Sequence, residues 1–138
     1  MSPVLTVVTG ATVLTVVGIV SGGAFLMRVL AGGVPANDLQ KTFFRAGHAH
    51  AGVLVTLGLV VALLTTAAGV SDVWATTGSV LVLSSAILVP AGFFLSVLGT
   101  DPRRPGRMVL CIWAGAAVLA VGLLVAGIAT VAAGVAAF

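Results

Sequence analysis

The side chains able to do chemistry are concentrated in one short stretch of this chain. Both histidines fall in Phe43-Phe44-Arg45-Ala46-Gly47-His48-Ala49-His50-Ala51-Gly52. Imidazole binds metals or haem and shuttles protons near neutral pH. Arg45 sets a permanent cation about one turn before His48. At about 100° per residue, His48 and His50 point about 160° apart on a helix and cannot chelate one metal. His48 shares its face with Arg45, Gly52 and Thr56, and His50 shares its face with Ala46, Leu54 and Leu57. The first face is the more polar, which predicts that His48 turns into the protein. His50 then points toward lipid headgroups, another subunit or a partner. The plainer alternative is that each histidine snorkels to water or bonds a neighbouring carbonyl.

Other catalytic equipment is sparse. The three acids are Asp38, Asp72 and Asp101, there is no Glu, and all three fall in expected connections, where they cap helices or tune turns. No Ser-His-Asp set, H-E-x-x-H or phosphate loop is present. A catalytic metal needs about three protein ligands, and two histidines with the lone Cys111 on scattered faces do not supply them. No catalytic residue and no metal ligand set is assigned, and an enzyme is the less favoured class. Cys111 reads as a small apolar residue of a helix.

The elements that must position the histidines are membrane spans. The chain of 138 residues is 60% hydrophobic and 7% charged, with a mean hydropathy of +1.31, whereas soluble domains are about half apolar and about a quarter charged. A span needs about 20 apolar residues, and four continuous runs qualify: 4–30, 43–70, 73–98 and 108–138. These predict an all-α, polytopic membrane protein: a single four-helix transmembrane domain over 1–138. The first run lacks the basic flank of a signal peptide and is long for one, so it reads as an uncleaved helix. Asn37 is the expected N-cap of the second helix, with Asp38 in its first turn.

Charge sets the expected orientation. Arg28, Lys41 and Arg45 flank the first connection, Arg103, Arg104 and Arg107 sit in the third, and the second connection and both tails carry no Lys or Arg. The positive-inside rule then puts both termini outside and the two basic connections in the cytoplasm. The cations read as topology signals and contacts for anionic headgroups, not as a nucleic-acid surface.

Small residues recur every four positions at Gly18 and Gly22, at Gly58, Ala62 and Thr66, and at Gly122, Ala126, Thr130 and Gly134. Such stripes let helix backbones approach closely. One is expected to pack inside the bundle and another to serve a homo-oligomer. Pro90 predicts a kink in the third helix, with Ser84 and Ser85 placed to satisfy freed backbone groups. If the two halves align as a repeat, Gly22, Gly23 and Pro90 fall at a depth comparable to His48, about 7 Å inside. Together with Gly52 they suggest a small glycine-walled cavity beside the imidazole. A 2+2 parallel repeat is also suggested. Ser21-Gly22-Gly23-Ala24-Phe25-Leu26 matches Pro90-Ala91-Gly92-Phe93-Phe94-Leu95, and Ala46-Gly47-His48-Ala49 matches Ala114-Gly115-Ala116-Ala117.

The string Phe44-Arg45-Ala46-Gly47-His48-Ala49-His50-Ala51-Gly52, with Pro90-Ala91-Gly92-Phe93-Phe94-Leu95, resembles a small uncharacterised family of bacterial, actinobacterial-type four-helix membrane proteins with a G-H-A-H-A-G motif. The Gly47-His48-Ala49-His50 run also resembles, over fewer than ten residues, the His-bearing helices of relatives of haem–copper oxidase subunit one. That likeness implies a haem-holding histidine, without the further histidines those proteins carry on other helices. Three functions follow as expectations. The first is a non-catalytic subunit or accessory protein of a larger membrane complex, such as a respiratory one, with other membrane subunits or itself as partners. The second is a haem or quinone binder using His48, with His50 and Arg45 as further candidate cofactor-binding residues. The third is a small homo-oligomeric transporter or channel using Pro90, Thr56, Ser84 and Ser85.

Overall fold

A computed structural model describes residues 1–138. It contains α1 (Pro3–Leu30), α2 (Asp38–Ala67), α3 (Asp72–Leu95) and α4 (Leu110–Val135), the last entered through a 3-10 turn at Arg107–Val109. Each helix is long and apolar enough to cross a membrane, and the four form the expected bundle. Local chemistry sets the ends. The Ser2 hydroxyl accepts from the Leu5 amide at 3.2 Å and opens α1, with Pro3 following where a missing amide costs nothing. α2 begins at Asp38 rather than Phe43 because Asn37 and Gln40 form a reciprocal capping box, satisfying two otherwise orphaned donors. Lys41 and Arg45 therefore ride on α2 itself. α2 stops at Ala67, short of Val70, where Gly69 takes φ +69° and the Val70 amide returns to the Thr65 carbonyl. α3 ends at Leu95 rather than Leu98, and Val97 is wholly buried in the connection that follows.

α3 is the hub. Ala75, Gly78, Val82, Ser85, Val89 and Gly92 are all buried on it. Their alternating spacing of three and four residues is the seam of left-handed helix packing. α4 closes on this seam. A Cβ added at Gly78 would lie 3.0 Å from the Ala126 Cβ, one at Gly92 2.7 Å from the Ile112 amide nitrogen, and one at Gly122 2.9 Å from that of Val82. α2 packs on the other side of α3, where Gly58 sits under the Leu83 side chain. Of the small residues expected to pack helices, Gly58 and Gly122 do so. Gly22 meets only the His48 ring, at ordinary contact distance. Gly18 and Gly134 meet nothing within 4 Å. α3 runs unbroken through the buried Pro90. Ser84 bonds the Val80 carbonyl and Ser85 that of Val82, so neither serves the Ala86 carbonyl that Pro90 leaves without its helical donor.

α1 is the loosest element, with only Leu5 and Val29 buried. At one end Leu5 packs with Ala62, Val70 and Ala75, and the Ser2 and Thr76 hydroxyls lie 3.3 Å apart. Toward the other end α1 rests on His48 and Phe44. Between these supports a groove of about 450 Å³ opens among Thr12, Thr15 and Ile19 of α1, Ala51 of α2, and Leu83 and Ser84 of α3.

The first and third connections meet. Asn37 Nδ2 donates to Asp101 Oδ1 and to the Pro102 carbonyl, both at 2.8 Å. Gln40 Nε2 donates to the Val97 and Gly99 carbonyls, both at 3.1 Å. Asp38 and Asp72 open helices rather than lying in connections, and Asp101 alone of the three sits in a loop. All six Lys and Arg residues thus gather at one end of the bundle, and both termini lie at the other. The two hairpins follow the same order with different registers. Gly23 faces His48, whereas the aligned Gly92 faces Ile112 and Cys111 rather than Ala116.

Candidate functional site

The histidine stretch occupies α2 a little beyond its capped start, and Gly47 decides what packs against it. Gly47 is buried, and a Cβ there would lie 2.9 Å from the Phe94 ring and 3.1 Å from the Phe93 Cβ. The missing side chain lets α3 close in, so the histidine string and the Pro90–Leu95 string meet in space. Phe43 stands edge-on to Phe93 at 5.6 Å between centroids, Phe44 stacks on Phe94 at 5.7 Å, and Phe25 of α1 tilts against Phe44 at 5.9 Å. These are the separations that aromatic quadrupoles favour, and they form a belt at the basic end.

His48 turns inward, toward α1. It is half-buried, and a Cβ added at Gly23 would lie 3.3 Å from both Cε1 and Nε2 of its ring. Gly22 and Gly23 therefore make room for the imidazole itself, and the ring fills the space where the sequence suggested a ligand cavity. Only Gly52, one turn further, has open space beside it. Arg45 and Thr56 are exposed, and the Thr56 hydroxyl bonds the Gly52 carbonyl. Of that face, His48 lies against α1 while Arg45 and Thr56 stay outside.

His50 is exposed and leans on Phe93, with ring centroids 5.0 Å apart. Its Nδ1 lies 2.7 Å from the Ala46 carbonyl oxygen. A carbonyl only accepts, so Nδ1 carries the proton, and in the neutral ring Nε2 holds the lone pair. The same bond satisfies an interfacial histidine and fixes the tautomer that a metal or haem iron requires.

No third ligand stands near either ring, and no group of three His, Cys, Asp or Glu gathers anywhere in the chain. Cys111 is free and half-buried on α4. Asp38 pairs with Lys41 at 3.6 Å. A second cleft, about 640 Å³, opens among Val70, Trp74, Val121, Leu124 and Ile128 and is almost wholly apolar. Gln40 is the residue that sequence reasoning missed. It is 8% exposed, and both ends of its amide are engaged. The Asn-x-x-Gln spacing was the available signal. Comparison with protein-family models, with curated proteins and with solved structures returns no match for this chain.

Proposed function

We propose that this protein is a non-catalytic subunit or accessory protein of a larger complex in the bacterial cytoplasmic membrane. In this reading the basic end is inside and other membrane subunits pack against its outer helices. One observation carries the reading. Gly10 and Gly18 on α1, and Gly127 and Gly134 on α4, have nothing within 4 Å of an added Cβ, whereas Gly78, Gly92, Gly115 and Gly122 lie against a neighbouring backbone. In lipid, where helix association rests on close packing, small residues serve by letting backbones touch. The outer glycines keep that capacity unspent, and α1 is held by the rest of the bundle at few places. Purification in mild detergent should recover other membrane proteins in fixed ratio, and Gly18→Leu with Gly134→Leu should release them without unfolding the chain. Recovery of a lone monomer, confirmed by crosslinking in native membranes, would overturn the proposal.

A second reading, a haem or quinone binder, is favoured by the Nδ1–Ala46 bond. It makes His50 the better prepared ligand, with His48 the inward-facing one and Arg45 the nearby cation for an acidic substituent. A Soret band in the purified protein that disappears in His50→Ala would support it. A colourless preparation from haem-replete cells, with no quinone extracted from it, would count against it.

A further inference from the structure

The basic end carries charge that its own acids do not neutralise. Asp38 is engaged by Lys41, and Asp101, held by the Asn37 amide, offsets only one of the charges in its own connection. Arg28, Arg45, Arg103, Arg104 and Arg107 are all exposed. The last three share the connection between α3 and α4, and that connection is firmly held. Val97 is wholly buried within it, and the Ser96 carbonyl accepts from the Gly106 amide at 2.6 Å. Gln40 and Asn37 together hold four more of its oxygens. Gly99 at φ +115° and Asp101 at φ +51° supply its tight return, a backbone region open to Gly and tolerated by Asp. Pro102 and Pro105 bracket Arg103 and Arg104 and fix φ on either side. An anion that binds here finds the arginines on a backbone already ordered, which lowers the cost of binding.

We propose that residues 96–107 form a binding site for the phosphate of an anionic phospholipid. Arg103, Arg104 and Arg107 supply the charge, and Asn37 and Gln40 hold the loop. Guanidinium groups suit phosphate because their paired donors match its oxygens. Lipid is the occupant, rather than a free anion, because the loop joins two membrane-spanning helices and so lies at headgroup level. The residues flanking the arginines in sequence include exposed apolar ones: Leu98, Leu110 and Trp113 are 64%, 66% and 71% exposed. Such side chains suit acyl chains below a headgroup held by the loop, and Trp113 is of the type that anchors at this level. The site does not depend on the subunit reading.

The test is native mass spectrometry of the full chain in dodecyl maltoside, titrated with dioleoyl phosphatidylglycerol or dioleoyl phosphatidylcholine. Phosphatidylglycerol should be retained preferentially. Each Arg→Gln change at 103, 104 or 107 should weaken it about fivefold, and the triple variant about a hundredfold. Arg28→Gln with Lys41→Gln and Arg45→Gln removes the same charge from outside the loop and should weaken it less than about threefold, since paired guanidinium contacts, and not net charge alone, hold the phosphate. Gln40→Ala leaves every arginine in place and should still weaken binding, with helicity unchanged by circular dichroism. If the triple variant loses its helicity, the single variants carry the test. Equal retention of the two lipids would overturn the site. So would equal losses from the two triple variants, or displacement of the lipid by inorganic phosphate or an acidic peptide at matched concentration.

Discussion

At Gly92 a methyl group would stand 2.7 Å from the Ile112 amide nitrogen, and no side-chain rotation relieves a clash with backbone. Gly92→Ala should therefore destabilise the bundle by about 1–3 kcal/mol, the usual cost of overpacking. Gly115→Ala, with a Cβ 3.0 Å from the Val89 amide nitrogen, should behave alike. Gly58→Ala should fall at the lower end of that range, since the nearest atoms it meets are side-chain atoms of the buried Leu83, which a rotamer change can partly move. Gly127→Ala should stay within about 0.5 kcal/mol, as surface changes do. Unfolding in mixed detergent micelles measures all four, and equal losses at Gly92 and Gly127 would refute this account of the packing. The contrast also shows what sequence spacing conveys. A small residue every four positions marks Gly58 and Gly122, which meet a neighbouring helix, and equally Gly18 and Gly134, which meet nothing within 4 Å. Spacing describes how smooth one helix is and carries no information about which neighbour arrives. Gly78, Ser85 and Gly92, spaced by seven along α3, escape a search by fours because left-handed packing repeats every seven residues. The histidines divide in the same way. Their opposite directions follow from helix geometry, but the Gly23 surface beneath His48 and the Phe93 ring beneath His50 come from other helices.

Among the elements, the start of α2 does the most. Asn37 and Gln40 cap that helix and also hold the third connection, so one reciprocal pair fixes two loops. Losing an N-cap costs about 1 kcal/mol, and leaving buried partners unsatisfied costs about 1–3 kcal/mol more. Asn37→Ala or Gln40→Ala should therefore free residues 96–107 well before the helices separate. Limited trypsin digestion should then cut after Arg103 or Arg107 at least several times faster than in the unaltered protein, while the four helices keep their circular dichroism. An unchanged cleavage rate would mean that the loop is held by Val97 and the Gly106 bond alone. The existence of four helices was legible because long apolar runs have no other use in a chain this short of charge. The boundaries were legible only in part. Capping chemistry marks Asn37 and Asp38 as the start of α2, as expected, although hydropathy alone discards Asn37, Gln40 and Lys41 as polar. Hydropathy also counts Val97 and Leu98 as helix, though the chain has already turned and Val97 is buried as loop.

For the whole molecule, the decisive property is the separation of charge between its ends. The Asn37 and Gln40 bonds place the first and third connections together, and the Ser2–Thr76 contact places the N-terminus beside the second turn. Six Lys and Arg at one end against none at the other is a strong bias, since cationic loops are retained in the cytoplasm during insertion. We therefore expect the basic end inside and Ser71 outside. The check starts from a Cys111→Ala background, so that an added thiol is the only one. Ser71 is exposed and its side chain makes no capping bond, so a cysteine there costs little. At Pro102 the bond from Asn37 ends on the main-chain oxygen, which a cysteine preserves. A membrane-impermeant maleimide applied to intact cells should modify Ser71→Cys and spare Pro102→Cys, and both should react once the cells are opened. The reverse pattern would invert the protein and place the arginine loop against the outer leaflet. That outcome would leave the packing of α3 against α2 and α4 untouched, because no contact within the bundle depends on which side of the membrane it faces.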